Sequence, residues 1–179
     1  MPTQIALLRG INLGARNRIA MPALREALAD AGFADVRTYL QSGNVVLSSG
    51  KKPETVALEL RALLEKRFGL ELHVAVRTRA ELARVVERNP LAKVARDPKR
   101  YQVTFLAKRP SAEVKRALEA AVVAPERLAV HGREVYAWHP RGVARSKLWS
   151  LLAGSKLGVG ATSRNWTTVT NLLELADEA

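Results

Sequence analysis

Three stretches of this chain gather guanidinium, carboxamide and hydroxyl side chains around glycine. The first holds Arg9, Gly10, Asn12, Gly14, Arg16, Asn17 and Arg18. The second is Gln41, Ser42, Gly43 and Asn44, and the third runs from Thr162 through Ser163, Arg164, Asn165 and Trp166 to Thr168. Guanidinium forks match the oxygen pairs of phosphate and carboxylate. Carboxamides supply both donors and acceptors, and glycine lets backbone approach a ligand closely. The chemistry implied is the binding and orienting of an anion. Arg9 and Arg164 are expected to contact it, with Asn12, Asn44 and Asn165 fixing its orientation. This requires the three stretches to meet in space.

Each stretch also has a plainer reading. Asn and Gly make turns without any ligand. Gly43 and Asn44 both tolerate a positive φ, so a tight hairpin explains two of the four residues at 41–44. Thr162 or Ser163 can cap a following helix, whose free N–H groups favour an anion. Arg164 then places a cation where the helix dipole disfavours one by a few tenths up to about 1 kcal/mol, which an anionic partner would offset. Trp166 fits an apolar helix stripe better than a stacking platform. Arg145, Ser146, Lys147 and Lys156 are a second tier, able to widen a positive rim or to form a solvated face.

No Asp or Glu lies within these three stretches. Two-metal hydrolysis needs carboxylate ligands and glycoside hydrolysis a carboxyl pair, so neither chemistry fits. Any catalysis here rests on positioning and charge stabilisation. Residues 154–160 are glycine-rich but lack the GK[ST] ending of a phosphate-binding P-loop. His73, His131 and His139 are scattered, without metal-ligand spacing. Neither a nucleophile elbow nor a dinucleotide fingerprint is present, so no cofactor is named. Glu134, Tyr136 and Trp138 share one face of a strand and could stack bases, although covering sheet surface is the simpler role.

The elements that must position these residues follow from periodicity. Ile5–Arg9 reads as a buried strand. Pro22 opens a helix striped by Leu24, Ala27, Leu28 and Ala31, stopped at Gly32. Strands at 36–40 and 45–49 flank the 41–44 tip. A helix from Pro53 to Phe68 ends at Gly69, and the alternation of Leu72, Val74 and Val76 with His73, Ala75 and Arg77 marks a strand. This order is that of a ferredoxin-like βαββαβ domain. Thr78 and Glu81 form a capping box. Strand, helix and hairpin then recur at 101–105, from Ser111, and across His131–Arg133, after which the copies diverge. A helix near 145–153, a Gly-rich turn and a last helix from about Asn165 complete the chain. The expected fold is α+β, with two ferredoxin-like lobes from a degenerate internal duplication plus C-terminal helices. Residues 1–90 form the first lobe and 91–179 the second.

The 179 residues, 47% of them hydrophobic, suffice for such cores. The absence of cysteine removes disulfides and thiolate metal sites and fits a reducing cytoplasm. There is no signal-peptide pattern and no apolar run of bilayer length, so no membrane partner is expected. The net charge of +12 suits phosphate-rich partners, a nucleotide or nucleic acid among them. It is spread along the chain, however, which favours a compositional bias toward Arg slightly over a polyanion partner. Oligomeric state has no signature here.

The same stretches carry a family resemblance. LLRGINLG with Asn17, TYLQSGNVV and ATSRNWTTVTNLL resemble a widespread bacterial family of unknown function, numbered 1697 among such domains. Ala15 and Ser163 depart mildly from the family's Gly and Thr. The resemblance spans nearly the whole chain. It implies the paired ferredoxin-like architecture and no activity. Three functional readings therefore stand: an anion-binding protein, a nucleic-acid-binding module, and a transferase acting on a phosphorylated substrate.

Overall fold

The computed structural model describes residues 1–179. They form two compact units, 1–84 with 171–179, and 85–170. The expected division at 90/91 thus moves to 84/85, inside a helix. The last nine residues are counted with the first unit, because the final helix passes from one unit's residues into the other's.

The first unit contains β1 (Thr3–Leu8), α1 (Met21–Asp30), β2 (Ala34–Tyr39), β3 (Asn44–Ser48), α2 (Pro53–Phe68) and β4 (Val74–Thr78). The strands form an antiparallel sheet in the order β2-β3-β1-β4. Ala6, Leu8, Val45, Leu47, Val74 and Val76 meet Leu24 and Leu28 of α1 and Val56, Leu60 and Leu64 of α2 in one core. Each fully buried Leu or Val contributes roughly 1.5–3 kcal/mol. Ile5, Leu7 and Val46, on the alternate positions, are buried as well. That explains why β1 reads as an unbroken apolar run. Gly69 ends α2 at φ +65°, where a side chain would be strained. After β4 comes α3 (Arg79–Arg88). Its capping box is present: Glu81 N donates to Thr78 Oγ1 at 3.1 Å, and Thr78 N to Glu81 Oε2 at 2.8 Å.

The second unit contains β5 (Tyr101–Leu106), α4 (Ala112–Ala121), β6 (Arg127–His131), β7 (Glu134–Trp138), α5 (Lys147–Ala153) and β8 (Ala161–Asn165), followed by α6 (Trp166–Asp177). Its antiparallel sheet runs β6-β7-β5-β8, the same arrangement as the first. Ser111 caps α4 by accepting from Val114 N at 3.1 Å. Leu106, Val135, Ala137 and Ala161 pack with Leu118 of α4 and Leu148 and Leu152 of α5. Both lobes are ferredoxin-like.

The duplication is therefore fuller than the sequence pattern implies. The copies do not diverge after Trp138; α5 and β8 complete the second lobe as α2 and β4 complete the first. Residues 161–165 are strand, so Thr162 and Ser163 cap no helix. Asn165 does, its Oδ1 accepting from Thr168 N at 2.9 Å. No helix is long and apolar enough to cross a membrane.

Candidate functional site

In the first lobe the 9–18 loop and the 41–44 tip come together. Asn12 Nδ2 donates to the Gln41 carbonyl at 2.7 Å and to the Ile19 carbonyl at 2.9 Å, while its Oδ1 accepts from Ile19 N at 2.9 Å. Asn17 Nδ2 donates to the Gly10 carbonyl at 3.0 Å, and Asn17's own carbonyl accepts from Asn12 N at 3.0 Å. Both asparagines sit at positive φ, +52° and +49°, a conformation Asn tolerates better than most residues. Asn44 is fully buried and donates to the Tyr39 carbonyl at 3.0 Å and to Ser42 Oγ at 2.9 Å. These amides build the loops. The side chains of Asn12 and Asn44, expected to orient a ligand, here make turn-closing hydrogen bonds.

Gly43 is held more tightly than a hairpin alone demands. It has φ +80°, and an added Cβ would lie 2.7 Å from Leu8 Cβ. The Gly43 carbonyl accepts from Leu8 N at 2.8 Å, which fastens the tip over the end of β1. Gln41 and Ser42 are exposed at that tip, with Gly14, Arg16 and Arg18 exposed on the facing loop. Arg18 Nε donates to the Gly14 carbonyl at 3.3 Å.

Arg9 is half-buried, and its N–H donates to the His73 carbonyl at 3.0 Å. His73 is the residue sequence reading missed. Burial first, then the charges of Arg61, Arg9 and Arg77, hold its imidazole below the ordinary value of 6.5. His73 is therefore neutral at pH 7, and its Nε2 is buried without a hydrogen-bond partner. The signal was present in β4 and the residue before it: His73 and Arg77 fall on alternate positions of one face, a basic pair on an otherwise apolar strand. The surroundings of His73 thus add Arg61 and Arg77 to the cations of this lobe.

The third stretch belongs to the second unit. Arg164 lies in β8 opposite Val103, one residue before the cap of α6. Its Nη1 donates to Thr162 Oγ1 at 2.9 Å and to the Ser163 carbonyl at 2.8 Å. Burial lowers its pKa to about 10. Trp166 stacks on Tyr101, ring centres 4.8 Å apart. Tyr136 is fully buried and donates to the Val85 carbonyl at 3.0 Å, so it presents no face for a base.

A second polar cluster, unmarked in the sequence, is buried in this lobe. Ser146 Oγ donates to Glu126 Oε1, and His139 Nδ1 lies 3.0 Å from the same oxygen. Val123 N donates to the other carboxylate oxygen at 3.2 Å. Burial raises the Glu126 pKa, but these hydrogen bonds outweigh it and leave the group below its ordinary value. An ionised carboxylate only accepts, so His139 carries its proton on Nδ1. The serine faces the carboxylate instead of the free imidazole nitrogen, so the trio is not a nucleophilic triad. Its members are 13 and 7 residues apart in sequence, a spacing that matches no motif.

A family model described as a protein of unknown function, DUF1697, matches residues 1–136, and the chain belongs to that family. A conserved bacterial protein from Streptococcus pneumoniae has a similar structure, with 20% identity, 98% of each chain covered and a TM-score of 0.81. That likeness concerns the fold. The small subunit of acetolactate synthase from Thermotoga maritima aligns over 92% of this chain and 97% of its own, at 14% identity and a TM-score of 0.23, too low to carry an argument. No curated protein matches the chain.

Proposed function

We propose that this DUF1697 protein binds a phosphate-bearing or otherwise anionic small molecule on the first lobe, a nucleotide being the leading class. The observation that supports the reading is the clasp from Asn12 to Gln41, which holds the cation-bearing loop against the hairpin tip. Arg9, Arg16 and Arg18 carry the charge, and the asparagines set the loop that presents them. Positive-φ residues Gly10, Asn12, Gly14 and Asn17 fold that loop tightly, so its backbone is preorganised before a ligand arrives. The loop and the tip contain no carboxylate to repel an anion.

Equilibrium dialysis of a nucleotide panel against the wild type and the R9A/R16A/R18A variant tests this. Loss of two or three charge-assisted contacts is expected to weaken binding by at least about tenfold. Equal binding by the two proteins would remove the proposal.

A further inference from the structure

The connection from β7 to α5 in the second lobe borders a cavity of about 590 Å³, within the range of small-molecule pockets. Its apolar wall includes Val123, Pro125 and Pro140, and Arg141, Arg145 and Lys147 supply the charge. All three cations are exposed. The ion pairs of the described residues engage none of them. Glu126 and Ser146 also line the cavity. The Glu126 charge is already met by Ser146, His139 and the Val123 N–H, which makes that part of the wall rigid and leaves the rim cations unopposed. Trp149 packs edge-on against His139, with ring centres 5.8 Å apart, and fixes it from another side.

We propose that this cavity is a second binding site, separate from the first-lobe loops, for a small organic anion. The anionic group sits among Arg141, Arg145 and Lys147, and a compact apolar body packs on Val123, Pro125 and Pro140. A bare inorganic ion would leave the apolar wall uncovered. A neutral apolar molecule would leave the cations unmatched. The site therefore selects for both parts on one molecule.

Calorimetric titration of phenyl phosphate into the full chain carrying R9A, R16A and R18A isolates this site from the first lobe. One-to-one binding is expected, weakened at least about tenfold when R141A and R145A are added. Inorganic phosphate and phenol, the two halves of the probe, are each expected to bind at least about tenfold more weakly. Both arginines are exposed, and an unchanged near-ultraviolet circular dichroism spectrum confirms that the variant is folded. A144L, which crowds the cavity without touching a charge, is expected to weaken phenyl phosphate too. Absence of binding, binding untouched by R141A/R145A, or inorganic phosphate binding as well as phenyl phosphate would each overturn the proposal. Failure of the first-lobe reading leaves these outcomes unaffected, because its arginines are already removed.

Discussion

The two lobes share one backbone frame and differ in where each has lengthened a connection. Leu8 N donates to the Gly43 carbonyl as Leu106 N donates to that of Arg133, both at 2.8 Å. Arg9 N reaches the His73 carbonyl as Ala107 N reaches that of Gly160, and Ser49 N reaches Pro2 as His139 N reaches Arg100. At these equivalent points the first lobe has Arg9 and His73 where the second has Ala107 and Gly160. The first lobe connects β1 to α1 through residues 9–20, the second β5 to α4 through only 107–111. The next crossover is reversed: 49–52 in the first lobe, 139–146 in the second. The extra chain carries Arg16 and Arg18 in one case, and Arg141, Arg145 and Ser146 in the other. A duplicated frame thus leaves its loops free to acquire different chemistry, as loops on a fixed scaffold generally do.

The comparison breaks first at the hairpin glycines. Gly43→Ala combines a positive φ with a contact of 2.7 Å to Leu8 Cβ. It is expected to destabilise the first lobe by about 3 kcal/mol. Gly132→Ala meets nothing closer than Glu134 Oε2 at 3.9 Å, although φ is +59°, and is expected to lose about 1 kcal/mol. Urea denaturation of the two variants measures the difference. Equal losses would mean that the first tip is not clamped on β1 any more firmly than its counterpart.

Acid is expected to separate the lobes next. The folded-state pKa of Glu126 lies below its ordinary 4.5. The stabilisation it brings is thus complete above that value and is lost as pH falls through the folded one. Glu126→Gln should remove this part of the acid sensitivity while lowering stability at pH 7. Denaturation midpoints from pH 7 to pH 3 test it, and parallel curves for wild type and variant would contradict it.

A smaller effect is expected at His73. With its folded pKa below 6.5, the unfolded chain takes up the proton first. Stability from this residue is present above 6.5 and declines as pH falls toward the folded value. Burial leads that shift and the neighbouring arginines add to it, so Arg9→Ala should raise the His73 pKa. An anion bound beside Arg9 should raise it too. Nuclear magnetic resonance titration of the imidazole reads both, and a His73 indifferent to Arg9→Ala would separate it from the loop.

Much of this frame is legible in the sequence, because apolar alternation, Pro22, Gly32, Gly69 and the Thr78–Glu81 box are local signals. Strand β8 is not, because it is held by polar pairing. Thr104 Oγ1 and Ser163 Oγ lie 2.7 Å apart across the strands, and Thr162 is buried. A polar ATSRN segment between glycines and a helix reads as a cap. The loop asparagines are legible as unusual residues, but their role is not. A carboxamide that orients a ligand and one that closes a turn have the same side chain, and only the partners of Asn12 and Asn44 separate them. The Glu126–His139–Ser146 cluster is assembled entirely by tertiary packing, so no local pattern announces it.

The claim at the centre is that the first-lobe loop, and not its shortened counterpart, receives a phosphate. An amide-resolved nuclear magnetic resonance titration of the wild-type chain with the best-binding nucleotide addresses it directly. Saturable shifts are expected at the Gly10, Gly14 and Gly43 amides that vanish in R9A/R16A/R18A, with Ala107, Gly132 and Gly160 unmoved. Shifts confined to the second lobe, or first-lobe shifts that persist in the triple variant, would contradict it.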